Sequence, residues 1–221
     1  MKSAVELNGN GYKISGSARS NSVVSMVSEV KASFSSKGKI SDNRLVPANH
    51  NIKFKNGRKT RRLKMSFTPD GVDSIQAKPK IKYKSGAVPV EKSHLKEVLD
   101  PISSMLLPVK ADEIGNGRKI CNRTVPIFDG RARINLVFSY RYTGSANIKG
   151  FRGNTIICAA RYQPIAGIRP HHRNIKFMKA NRDMQVTLAR IGDSNYYTMM
   201  GFRVRTSKGL ASAAAYEFTT R

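Results

Sequence analysis

The sequence predicts a mainly β protein: a long antiparallel meander curled into a partly open barrel, with one kinked helix over about residues 93–107 packed on it. Three observations carry this expectation. Apolar residues recur at every second position in many short stretches, the repeat of a strand with one buried face. Gly-containing pairs punctuate those stretches at hairpin spacing. A central segment switches to a helical period.

In chain order, AVEL at residues 4–7 reads as the end of an opening strand, followed by the turn Asn8-Gly9-Asn10-Gly11. Ile52 and Phe54 alternate up to Asn56-Gly57, a pair that tolerates the positive φ of a hairpin turn. Leu63, Met65 and Phe67 then alternate with Arg62, Lys64 and Ser66 as far as Asp70-Gly71. Ile81 and Tyr83 alternate with Lys80, Lys82 and Lys84 and read as a further strand before Ser85-Gly86.

In SHLKEVLDPISSMLLP the apolar residues Leu95, Val98, Leu99, Ile102, Met105 and Leu106 fall at helical spacing. Ser93 reads as the cap of its start. Asp100-Pro101 reads as a fresh N-cap followed by Pro at the first helical position, so a kink or two short helices in succession is expected. Such a stripe packs on a sheet or closes a barrel end.

The clearest strand follows the turn Asp129-Gly130. In RARINLVFSYRY, Ile134, Leu136, Phe138, Tyr140 and Tyr142 share one face, and Arg131, Arg133, Asn135, Ser139 and Arg141 the other. HRNIKFMKANRD, around 172–183, is a weaker helical candidate. Alternation returns in Val186/Leu188, Phe202/Val204 and Tyr216/Phe218, with Lys208-Gly209 as a turn. No fixed-period repeat, low-complexity tract or linker divides the chain, and all-β units often run to about 200–250 residues, so residues 1–221 read as a single domain.

An apolar content of 39% with 24% charged residues excludes a disordered chain. The charge balance is extreme: 40 Lys and Arg against 14 Asp and Glu leave +26. Such a surface attracts polyanions, whether nucleic acid, anionic lipid or acidic polysaccharide, and a basic genome-wide composition gives the same balance without a partner. No window approaches the roughly 18 apolar residues of a membrane-crossing helix. MKSAVELNGNGYK lacks the apolar run of a signal peptide, so the chain reads either as cytosolic or as starting inside its fold.

No residue pattern points to catalysis, a cofactor or a metal. There is no G-x-S-x-G and no H-E-x-x-H. His50 and His94 stand alone, and His171-His172 lie in a Pro- and Arg-rich loop without acidic or thiol neighbours to complete a metal site. Asp100 and Asp129 read as a cap and a turn. Cys121 and Cys158 read as buried free thiols in a reducing compartment or as a joined pair in an exported protein. Arg123 and Arg161 stand near enough in sequence to activate a thiolate, but no C-x-x-C is present.

Between Lys53 and Lys84 there are 11 Lys and Arg (53, 55, 58, 59, 61, 62, 64, 78, 80, 82, 84) against Asp70 and Asp73. Phe54, Phe67 and Tyr83 interleave with them. A stacking platform for single-stranded nucleic acid needs aromatics on the same exposed face as the cations. The alternation puts these on the opposite face, so no specific nucleic acid is expected.

Four stretches together resemble an alphaproteobacterial family, domain of unknown function 3108: GYKISGSARS at 11–20, LDPISSMLLP at 99–108, CNRTVPIFDGRARINLVFSY at 121–140 and CAARYQPIAGIRP at 158–170. The resemblance implies an exported, periplasmic protein dominated by one strongly bent sheet, with no known reaction. It also favours a Cys121–Cys158 disulfide. Members begin with a signal peptide and a fuller opening strand, so this chain reads as trimmed at its start, and as cytoplasmic if Met1 is the true start. The expectation is a non-enzymatic cell-envelope protein, structural or binding an apolar or anionic component of the envelope, such as an acyl chain held by the apolar inner face or an anionic lipid or polysaccharide drawn to the basic outer face. The alternative is a basic cytosolic nucleic-acid-binding protein.

Overall fold

Two-residue turns and period-two burial fold the first third of the chain into a run of hairpins. The computed structural model describes residues 1–19, 30–207 and 209–220. Strands β1 (Lys2–Asn8), β2 (Gly11–Arg19), β3 (Val30–Ser41), β4 (Arg44–Asn56), β5 (Lys59–Thr68) and β6 (Gly71–Lys78) lie side by side in chain order, every neighbour antiparallel. Asp42 and Asn43, with φ of 51° and 59°, make the β3–β4 turn in the conformation that matches strand twist. The β4–β5 turn falls on Gly57-Arg58, one residue beyond the expected Asn56-Gly57 centre, because Asn56 pairs with Lys59 in the ladder.

Paired residues share a face, so the register sorts the side chains. Val5, Ile14, Ser36, His50 and Met65 form one inward row. Two glycines are required by this packing. A Cβ on Gly16 would lie 2.6 Å from the Phe34 ring, and one on Gly38 would lie 2.8 Å from the Tyr12 ring.

β6 ends at Pro79, which has no N–H to continue a ladder. Residues 80–84, expected as a strand, carry none; the chain instead crosses to the second sheet, where Val88 N–H donates to the Ile168 carbonyl. The expected helix over 93–107 is replaced by a strap. It contains single 3-10 turns at Lys92–Leu95 and Ser103–Met105, then β7 (Leu106–Pro108). The physical reasons are local. Glu97 adopts a positive φ of 49°, Leu99 bridges in parallel to Ile127, and Asp100 precedes proline, which disfavours helical dihedrals. The apolar stripe is nonetheless inward: Val98, Ile102, Met105 and Leu106 are buried. Glu91 rather than Ser93 precedes the first turn and Ile102 rather than Asp100 the second, although the Asp100 carboxylate, two residues earlier, accepts from the Ile102 and Ser103 amides.

After α1 (Gly117–Cys121), a second meander runs through β8 (Thr124–Phe128), β9 (Arg133–Ile148), β10 (Phe151–Ala166), β11 (Met184–Arg190), β12 (Tyr196–Thr206) and β13 (Gly209–Ala214), with β7 added beside β12. The segment 172–183 holds α2 (Arg173–Ala180), capped by His172. Of the expected Lys208-Gly209 turn, Lys208 lies outside the described residues. Tyr142 departs from the expected face of β9. Tyr140 pairs with Cys158 and Tyr142 with Ile157, so Arg141 is an extra residue in a bulge that turns Tyr142 outward, 51% exposed. Tyr216 is likewise outside, just before β14 (Glu217–Thr220), while Phe218 is buried.

β14 pairs in parallel with β1 and bridges Lys149 at the β9–β10 turn, which joins the two sheets. The result is a mainly β, curled half-barrel. One apolar cluster, from Val5 and Ile14 through Ile102 and Leu106 to Leu188 and Phe218, takes residues from both sheets and the strap. A smaller one, Met65, Val98 and Phe128, lies where β5 meets the strap.

Candidate functional site

The concave side holds a polar cluster in the apolar interior. Tyr12 stands on β2, Ser36 on β3 and His50 on β4, each brought inward by strand alternation; Asp100 and Ser103 face them from the strap. Asp100 and Ser103 are 0% exposed and His50 1%. The Asp100 carboxylate accepts from the Ser36 hydroxyl at 2.6 Å, the Ser103 hydroxyl at 2.5 Å and the Ile102 and Ser103 amides at 2.9 Å each. His50 Nδ1 lies 2.9 Å from Asp100 Oδ1 and 2.9 Å from Ser36 Oγ, and Tyr12 donates to Ser103 Oγ at 2.8 Å. Both acceptors sit at Nδ1, which places the ring proton there.

Burial pushes the Asp100 pKa up, but hydrogen bonding and charge from His50, then the Ser103 and Ser36 hydroxyls, outweigh it and hold the group below the usual carboxylate range. Burial is also the main reason that the Tyr12 phenol is raised; its bond to Ser103 opposes this and the Asp100 charge adds to it. Ser36, His50 and Asp100 are the residue types of an acyl-transfer triad, but not its geometry. A nucleophile must face Nε2 while the carboxylate holds Nδ1. Here the serine is on Nδ1, and His50 Nε2 is buried without a hydrogen-bond partner. The cluster binds the strap to three strands of the first sheet.

Sequence reading placed His50 alone and saw Asp100 only as a cap. Nothing in the sequence marked the cluster, because Ser36 and His50 meet only through the β3–β4 register, as direct partners at inward positions. The remaining expected residues do not converge. Cys121, at the end of α1, is joined to Cys158 on β10 with a Cα–Cα distance of 5.6 Å, and both are fully buried. Neither thiol is therefore free. Arg123 bonds the Ile120 and Pro108 carbonyls and pairs with Glu113, while Arg161 is exposed. His94 and His172 accept backbone amides at their turns. Asp129 accepts the Arg131 and Ala132 amides. Among the described residues, no group of three or more His, Cys, Asp or Glu is placed to hold a metal ion.

The other concentration of chemistry is on the outer face of the first sheet. Lys53, Arg62 and Lys78 lie in one cross-strand row, with Lys55 and Lys64 in the rows beside it. None of the 11 cations between Lys53 and Lys84 forms an ion pair among the described residues. Like charges set opposite one another destabilise a sheet, so this row is a standing cost to the fold. Phe67 packs against the Met65 cluster and Phe54 lies on the inner side beside Arg61, whereas Tyr83, expected on the face opposite the cations, is 49% exposed among Arg62, Lys64 and Lys80 because residues 80–84 form no strand.

Fold and sites together define a class: a curled antiparallel half-barrel, strapped across its concave side, with a buried disulfide and one strongly cationic outer face. The chain belongs to a family of proteins of unknown function, domain of unknown function 3108, whose profile matches residues 1–213. No curated protein and no solved structure matches it. No helix among the described residues is long and apolar enough to cross a membrane.

Proposed function

We propose that this chain is a non-enzymatic protein of the periplasm that binds an anionic component of the cell envelope, foremost an acidic lipid surface, through the outer face of β3–β6. The observation that carries this reading is the unpaired row Lys53–Arg62–Lys78 with Lys55 and Lys64 alongside. Each such cation contributes about 1 kcal/mol near an anionic membrane surface, an attraction that salt weakens. The buried Cys121–Cys158 bridge fits an oxidising compartment.

Co-sedimentation with phosphatidylglycerol vesicles, against phosphatidylcholine vesicles, at low and high salt tests the reading. Binding to the anionic vesicles that falls with salt, and falls about tenfold or more in a Lys53→Ser/Lys55→Ser/Lys64→Ser variant, supports it. Equal binding to both vesicles, or a variant indistinguishable from the parent, overturns it. Tighter salt-dependent binding to single-stranded nucleic acid than to vesicles supports the nucleic-acid alternative instead.

A further inference from the structure

Behind the cationic outer face, the first sheet has inward side chains that the core does not cover. Phe54 on β4 and Ile81 in the crossing segment belong to neither apolar cluster, and each is only partly buried. With Leu63 on β5 they floor a cleft of about 330 Å³ between the sheet and the β8–β9 turn. That turn is seated by Gly130, whose φ is 88° and where a Cβ would lie 2.8 Å from the Leu63 methyls. It brings Arg131 into the cleft's lining with Arg61 and Lys80, beside Arg62 and Lys78 of the cross-strand row. Asp129 is the one acid in the lining, and its carboxylate is engaged by the amides of its own turn. A shallower depression of about 700 Å³ continues from it past Ile75 and Tyr83, sharing Lys80 and Ile81. Both volumes fall in the range of roughly 300–1,000 Å³ usual for small-molecule sites.

An apolar floor beside cations without carboxylate partners is complementary to one kind of molecule, a single acyl chain carrying an anionic head. We propose that this cleft takes a monoacyl phospholipid, with its chain over Phe54, Leu63 and Ile81 and its phosphate against Arg61, Lys80 and Arg131. A neutral apolar ligand would leave the cations unused. A bare anion would leave the floor wet. The proposal rests on the envelope reading above and adds to it: the outer face meets the lipid surface, and the cleft holds one molecule.

Isothermal titration of the full chain with lysophosphatidylglycerol below its micelle concentration tests this, with lysophosphatidylcholine and glycerol phosphate as probes lacking the net charge and the chain. The expected result is 1:1 binding of lysophosphatidylglycerol, at least tenfold tighter than either comparison. Phe54→Ser and Ile81→Ser should each weaken it about tenfold while leaving vesicle binding at the parent level, as should Arg131→Ser. Neither Phe54 nor Ile81 is part of the buried core, so these variants fold. A parent that binds anionic vesicles but no lysophosphatidylglycerol monomer overturns the cleft and spares the envelope reading. So does equal monomer binding by the Phe54 and Ile81 variants. A parent that binds neither vesicle nor monomer overturns both.

Discussion

Asp100 Oδ1 lies 2.9 Å from His50 Nδ1 with both side chains shut off from water, and this pair fastens the strap to the inner face of the first sheet. Leaving buried hydrogen-bonding groups without their acceptor costs roughly 1–3 kcal/mol each, because the donors left behind cannot return to solvent. Asp100→Ala strands the Ser36 and Ser103 hydroxyls, two amides and the His50 ring together. A loss of at least that size is expected in urea unfolding. A loss under about 1 kcal/mol would mean that Val98, Ile102, Met105 and Leu106 hold the strap without it.

The same carboxylate makes stability fall in acid. Its folded pKa is held below the unfolded value of about 3.9. Its contribution is therefore fully present above the unfolded value and is lost as pH falls through it toward the folded one. Melting temperatures between pH 6 and pH 3 should drop more steeply in the parent than in Asp100→Asn; parallel curves would remove Asp100 from the account. Tyr12 has the opposite sign. Its phenol is raised, so its contribution is present below about pH 10 and is lost as pH climbs toward the folded value. Tyr12→Phe should flatten the alkaline limb alone.

The Cys121–Cys158 bridge closes a sequence separation of 37 residues, for which loop entropy gives about 3–4 kcal/mol. Cys121→Ser/Cys158→Ser should lower stability by that amount. Both sulfurs are buried, so a mild reductant should act on the native protein only as fast as it opens. Thiol release that is rapid in buffer and unaffected by urea would show an accessible bond.

What the sequence made legible was the pattern of burial, more than the backbone that achieves it. The stripe Val98, Ile102, Met105 and Leu106 is inward as its spacing predicts, yet the backbone there is a strap, since Glu97 takes a positive φ and Leu99 bridges to Ile127. On β9 the alternation holds through Tyr140 and fails at Tyr142, because a one-residue bulge exchanges the faces and leaves no trace in hydropathy. The run Lys80–Lys84 alternates like a strand but follows Pro79 and finds no ladder. The buried cluster was hidden for another reason. Ser36, His50 and Asp100 are far apart in the chain, and only the β3–β4 register and the strap bring them together.

The seam between the two sheets depends on a close backbone approach at the β9–β10 turn. Phe218 on β14 donates to the Lys149 carbonyl at 2.9 Å, and the next residue, Gly150, has a φ of 86° where a Cβ would lie 1.8 Å from the Phe218 carbonyl oxygen. Lys2 and Lys149 also pair with Glu217 on the same strand, so charge and backbone packing both act at this point. They can be separated. Gly150→Ala adds backbone strain of about 1–3 kcal/mol and forces β14 away from the turn, so the melting temperature should fall and protease should cut earlier near Ala214–Glu217. Glu217→Gln keeps the backbone contact and removes only ion pairs that water partly screens, so its effect should be much smaller. If the order is reversed, with Glu217→Gln the more damaging, then charge rather than close packing closes the half-barrel.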